Sequence, residues 1–251
     1  MSGDHPTYQN PTIREALCEI HFRLPEGVAW QDLLYGRLFM KVQSRFPELE
    51  PVAQPGLELR MGAEGPKLIS SQRRMRFKEL SGKVLLQLSE NVFTVNVLPK
   101  YPGWAQMKLE IRDAWKPACE VLRPARITRI GLRYINLVEP VSPHECPGDW
   151  LVASDHIPKA VLTSLPGFLA RVETRSDADK RVIVTLGESA GSGDQKMGGL
   201  VFDIDCIVEK EMPMEGDALN EEIEQLHDTA WKIFSASMTP RLDALLRGVP
   251  K

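Results

Sequence analysis

Residues 13–24 read Ile13-Arg14-Glu15-Ala16-Leu17-Cys18-Glu19-Ile20-His21-Phe22-Arg23-Leu24. Ala16, Cys18, Ile20, Phe22 and Leu24 alternate with Glu15, Glu19, His21 and Arg23, the period of a strand that buries one side and leaves the other wet. Pro25 and Gly27 end that pattern. Trp30, Leu33, Leu34, Leu38, Val42 and Phe46 then recur at helical spacing until Pro47, which predicts a helix of about four turns. Four strands are expected next, over residues 57–61, 67–79, 83–88 and 92–98. Ser81-Gly82 and Glu90-Asn91 serve as tight hairpin connections, so the four form an antiparallel meander. Trp104, Met107, Ile111, Trp115, Ala118 and Leu122 return to helical spacing, and Pro124 closes the segment.

Residue 126 starts a second pass. A strand over 126–138 is followed by a Pro/Gly-rich stretch with a short helix around 149–152, then strands over 167–175, 181–186 and 200–210. Leu219, Ile223, Leu226, Ala230, Ile233 and Phe234 mark the buried stripe of a long helix, and Thr239-Pro240 supplies an N-cap and first position for a last short one. The expectation is an α+β chain of two similar halves, residues 1–124 and 125–251, each running strand, helix, antiparallel meander, helix. Their sheets join through the first strand of each half into one curved antiparallel sheet with the long helices on one side. This element order resembles the TATA-binding-protein-like duplication, a likeness of arrangement that implies no function.

Composition narrows the function classes. The 251 residues are 43% hydrophobic and 26% charged, ordinary values for a folded chain, and 31 Lys plus Arg against 34 Asp plus Glu leave a net charge of -3. Such a balance gives no global attraction to nucleic acid or to an anionic membrane, so a polyanion site has to be a local patch. Cys18, Cys119, Cys146 and Cys206 form no CxxC pair, and Cys18 and Cys206 sit inside apolar strand patterns, so neither zinc nor disulfides are expected. No apolar run approaches a bilayer span, and residues 1–10 lack the apolar stretch of an export signal. A cytoplasmic protein is the expectation.

Three stretches resemble a known family: Asn10-Pro11-Thr12-Ile13-Arg14-Glu15-Ala16 leading into Cys18-Glu19-Ile20-His21-Phe22; Arg129-Ile130-Gly131-Leu132-Arg133-Tyr134-Ile135-Asn136; and Leu226-His227 with Phe234 and Thr239. The family is a group of sporadically distributed prokaryotic proteins of similar length with no assigned activity, cofactor or catalytic residue. The resemblance spans nearly the whole chain and departs from the family at Asn10, where a second Pro is usual, and in the glycine-rich loop 190–199. It implies a patchily inherited prokaryotic protein, a pattern common among accessory parts of defence systems.

The candidate site residues are arginines at strand spacing. Arg129 and Arg133 flank Gly131 on one face, Arg171 and Arg175 share a face with Glu173, and Arg74 and Arg76 alternate with Lys78 in the first half. Guanidinium groups so placed can bind phosphate or carboxylate bidentately. The competing reading has them paired with Glu15, Glu19, Asp203 and Asp205 across neighbouring strands. Asp203 and Asp205 project from one face and could hold Mg²⁺ for phosphodiester cleavage, but no third ligand stands at a telling offset. His21 and His227 have no Ser or Cys partner and read as surface or helix-face histidines. The glycines of 187–199 lack the Lys and Ser/Thr of a phosphate loop and read as a mobile hairpin loop. The five tryptophans fall mainly on apolar helical stripes, where they serve core packing.

Together these features predict a non-catalytic protein-binding module without a cofactor or metal, and the resemblance implies that it is the accessory component of a prokaryotic defence system (CRISPR-type or toxin-related) or of a stress system. A protein partner is favoured over nucleic acid because the strand faces mix signs, no membrane is involved, and the oligomeric state is open. The alternatives are a nucleic-acid or nucleotide-binding protein using the arginine faces and, behind it, a metal-dependent nuclease built on Asp203 and Asp205.

Overall fold

The computed structural model describes residues 5–52, 57–62, 65–70, 74–139, 145–163, 167–189, 199–214 and 217–248. The first pass runs β1 (Ile13–Arg23), α1 (Leu33–Val42), β2 (Glu48–Val52), β3 (Leu57–Gly62), β4 (Gly65–Ser70), β5 (Arg74–Lys78), β6 (Val84–Leu88), β7 (Val92–Val97) and α2 (Trp104–Leu122). The second runs β8 (Arg126–Val138), α3 (Pro147–Trp150), α4 (Lys159–Leu162), β9 (Leu169–Arg175), β10 (Lys180–Glu188), β11 (Leu200–Val208), α5 (Ala218–Ala236) and α6 (Pro240–Leu246).

Nine strands form one antiparallel open sheet in the order β2-β5-β6-β7-β1-β8-β11-β10-β9. The two passes meet at β1 and β8, where Ala16 stands opposite Tyr134, Cys18 opposite Leu132 and Ile20 opposite Ile130. From that seam the order runs outward through β7, β6, β5 and β2 on one side and through β11, β10 and β9 on the other.

Strand periodicity decides which side carries the core. Phe22 and Phe93 reach Trp115 of α2, with ring centroids 6.3 and 5.6 Å apart, and Phe202 stacks on Phe234 of α5 at 5.8 Å. Cross-strand register puts Phe22, Leu132, Tyr134 and Phe202 on the same side of the sheet, so both long helices cover that side, and all four residues are buried. The opposite side carries no helix among the described residues.

Several boundaries differ from the sequence reading. The expected strand 67–79 is two strands: β3 and β4 pair with each other in a separate two-stranded sheet, and only β5, β6 and β7 form the meander. The polar run Ser70-Ser71-Gln72-Arg73 breaks the apolar alternation there. β2 is an additional strand, pairing with β5 at the sheet edge, where Pro51 needs no ladder partner for its missing N–H. α1 is shorter than the spacing predicts. Trp30 precedes it and packs edge-on against Tyr35 at 5.2 Å, while Phe46 stays on the core because its N–H bonds the Val42 carbonyl at 2.8 Å. Leu33, expected on the buried stripe, is exposed. The short helix expected at 149–152 lies at Pro147–Trp150, and α4 joins it unforeseen.

Candidate functional site

Alternation along β1, β8 and β11 sends Glu19, His21, Arg129, Gly131, Arg133, Asp203 and Asp205 to the helix-free side, at the middle of the sheet. Arg133 forks onto Asp203, with Nε donating to Oδ1 at 2.8 Å and Nη2 to Oδ2 at 2.6 Å, the planar bidentate geometry that makes a guanidinium–carboxylate pair strong. Arg129 donates to Glu19 and lies against His21 Nε2, which is itself 2.6 Å from Glu19 Oε1. Burial pushes the Glu19 carboxyl up, but the hydrogen bonds and charges of His21 and Arg129 outweigh it and bring Glu19 down to about 2.

Asp205 behaves in the opposite way. It lies half-buried, with Arg129 and Arg133 near enough to attract it but no hydrogen-bond donor among the described residues. Burial dominates, Asp203 and Glu19 add to it, and the carboxyl is pushed up from 3.8 to about 6. A methyl group built at Gly131 would stand 3.5 Å from Arg129 Nη2 and 3.7 Å from Asp205 Oδ1, ordinary van der Waals contact, so both side chains close directly over this position of the strand.

All six candidate arginines share this face, but they do not converge. Arg74 brings Nη1 to 3.9 Å of Glu19 Oε2, running across β6 and β7 to do so, and Arg76 bonds Glu50 of β2 at 3.3 Å. Arg171 and Arg175 stand on the edge strand β9, three strands from β8, whose axis therefore runs about 14 Å away. Arg171 is 3.8 Å from Glu173, and Arg175 has no ion pair among the described residues. Arg181, which the sequence reading left out, ties the edge inward by reaching Glu173 at 3.2 Å and Glu209 at 2.9 Å. Its signal was the same alternation, since it stands opposite Arg175 on β10.

Asp203 and Asp205 do share one face, but Arg133 occupies Asp203. Among the described residues no three His, Cys, Asp or Glu side chains stand together as a metal site. The loop reading for the glycines of 187–199 falls largely on residues 190–198, outside the described residues. At its ends Ser189 N–H bonds the Gly199 carbonyl at 2.8 Å, closing β10 onto β11.

His227 lies on a helix face, one of the two expected placements, and that face is the buried one. It is not a surface histidine: only 8% of it is exposed, it faces the sheet from α5, and the Tyr134 hydroxyl stands 2.9 Å from its Nδ1. Trp104 stacks on the ring at 4.0 Å, and Nε2 is buried without a partner among the described residues. Burial, helped by nearby His5, brings its pKa from 6.5 down to about 4. The signal was in the spacing, because residue 227 follows Ile223 by four and precedes Ala230 by three.

No family model matches the chain, and no curated protein matches it.

Proposed function

We propose that this chain is a non-catalytic protein-binding module that meets its partner through the helix-free face of the sheet. The observation that carries this is the pairing on that face: Arg133 is held by Asp203, Arg129 by Glu19, Arg76 by Glu50 and Arg171 by Glu173. Nucleic-acid affinity comes from cations free to displace counterions from phosphates, and cations already neutralised by neighbouring carboxylates supply little of it. A mixed-sign surface suits a protein, whose own charges alternate in sign and fix register through complementary pairs. With the likeness to the sporadic prokaryotic family, the module is read as an accessory component of a defence system, CRISPR-type or toxin-related, or of a stress system. The same reading treats the chain as a TATA-binding-protein-like duplication with a curved sheet. Matched positions outward from the β1–β8 seam support it, β7, β6 and β5 corresponding to β11, β10 and β9.

The test pairs affinity capture from the native host with a direct titration of nucleic acid. A partner retained by the wild type and lost on combining Arg74→Glu with Arg76→Glu supports the module. In fluorescence anisotropy, labelled RNA and DNA are expected to bind no tighter than roughly micromolar at physiological salt. Submicromolar, salt-sensitive binding that Arg133→Glu abolishes would instead make nucleic acid the ligand.

A further inference from the structure

The two edges of the nine-stranded sheet differ in kind. β2 presents Glu48 and Glu50 on the helix-free face and carries Pro51, which cannot donate to a neighbouring strand. β9 has no proline over its seven residues, and Leu169, Arg171, Glu173 and Arg175 all point to the helix-free face and are all exposed, Leu169 to 79%. Its inner side is paired with β10; among the described residues nothing pairs with its outer side. An uncovered edge offers a row of unpaired N–H and C=O groups to another strand.

The sequence of β9 selects the occupant. Two copies of one strand that pair antiparallel in a common sheet are related by a two-fold axis normal to that sheet, which passes through a residue pair. If the axis falls at Arg171 or at Glu173, like charges stand opposite each other on it. If it falls at Thr174, Glu173 faces Arg175 but only residues 173–175 of the strand are paired; if it falls at Val172, all seven residues pair, Arg171 faces Glu173 of the second copy, Glu173 faces its Arg171, Ala170 faces Thr174, and Leu169 lies beside the apolar stem of Arg175. Directly opposed unlike charges stabilise an antiparallel pair and like charges destabilise it. The same operation on β2 places Glu50 against Glu50, beside a proline.

We propose that β9 is a self-association edge: a second copy of this chain pairs with it antiparallel about a two-fold axis at Val172, joining two nine-stranded sheets into one. The axis leaves both helix-free faces on the same side, so the dimer doubles the width of the charged face. Arg175 gains the exposed Leu169 of the other copy to cover. The inference stands on the edge geometry and the β9 sequence, independently of the accessory reading, and a monomer that still captures a partner would overturn it alone.

Sedimentation velocity on the full chain over roughly 1 to 100 µM, where so small an interface dissociates, reads the monomer–dimer balance. The wild type is expected to dimerise in that range. Arg171→Glu alone and Glu173→Arg alone each place like charges across both central pairs and are expected to weaken the dimer about tenfold or more. An equimolar mixture of the two single variants places opposite charges across both pairs, so a mixed dimer is expected to return. Hydrogen exchange on the wild type needs no variant to fold: amides of 169–175 are expected to gain protection as concentration rises. A wild type monomeric across the range, single variants that dimerise unchanged, a mixture that stays monomeric, or exchange at 169–175 independent of concentration would each overturn the proposal.

Discussion

Two titratable groups, the half-buried Asp205 and the buried His227, set opposing pH dependences. Asp205 keeps its proton to about 6 in the folded chain against 3.8 unfolded, because burial disfavours its charge. Between those values the native state binds more protons, so stability falls as pH rises through the window, by at most roughly 3 kcal/mol. His227 titrates at about 4 folded against 6.5 unfolded, again chiefly through burial. There the unfolded chain binds more protons, and stability falls by a similar amount, at most roughly 3 kcal/mol, as pH drops through the window. The two nearly cancel between pH 4 and 6. Asp205→Asn removes one of them: urea midpoints of the variant are expected above wild type at pH 7.5 and to fall steeply from pH 6.5 to 4, where wild type changes little. A variant midpoint at or below wild type at pH 7.5 would mean that Arg129 and Arg133 hold the Asp205 charge more tightly than burial opposes it.

Elements whose apolar alternation is uninterrupted and bounded by breakers were legible to the residue. β8 lies at 126–138 as its pattern predicts, and α2 ends at Leu122 ahead of Pro124, because nothing in tertiary structure competes with such a pattern. Where pairing rather than pattern decides, reading failed. Residues 67–79 pass for one strand only if the polar run Ser70-Ser71-Gln72-Arg73 is overlooked, β4 and β5 go to different partners, and β2 is defined only by its pairing with β5. The site divides in the same way. Period two places all six arginines on one face, but no local pattern tells that Arg74 reaches Glu19 across two intervening strands. Two elements yield measurable costs. Phe202, fully buried and stacked on Phe234, ties β11 to α5, and Phe202→Ala is expected to cost about 3–5 kcal/mol in chemical denaturation. Thr239 caps α6, its Oγ1 accepting from Leu242 N–H at 3.3 Å and donating to the Asp149 carbonyl at 2.9 Å. Thr239→Ala is expected to cost about 1–2 kcal/mol, read as a lower urea midpoint with an unchanged slope.

At the scale of the molecule, the β1–β8 seam decides whether the halves are separate domains or one folding unit. Domains keep their own cores and meet through small, polar interfaces. Here the seam is a run of backbone ladder from Ile13 to Arg23 against Arg126 to Asn136, and its buried residues Cys18, Ile20, Ile130 and Leu132 belong to one apolar cluster that reaches from Phe77 on β5 to Val182 on β10. Pulling the halves apart would strand that ladder and expose the middle of the core, so neither half has a complete structure without the other. The chain is therefore expected to unfold in one cooperative step. Reporters exist on both sides of the seam: Trp115 is buried on α2 beside Phe93, and Trp150 is buried on α3. With the remaining tryptophans replaced by Phe, single-tryptophan variants reporting from residue 115 or 150 should give urea transitions coincident with each other and with far-ultraviolet circular dichroism. Two midpoints separated along the urea axis, with Trp115 and Trp150 reporting different ones, would make the halves autonomous domains and the seam an interface between them.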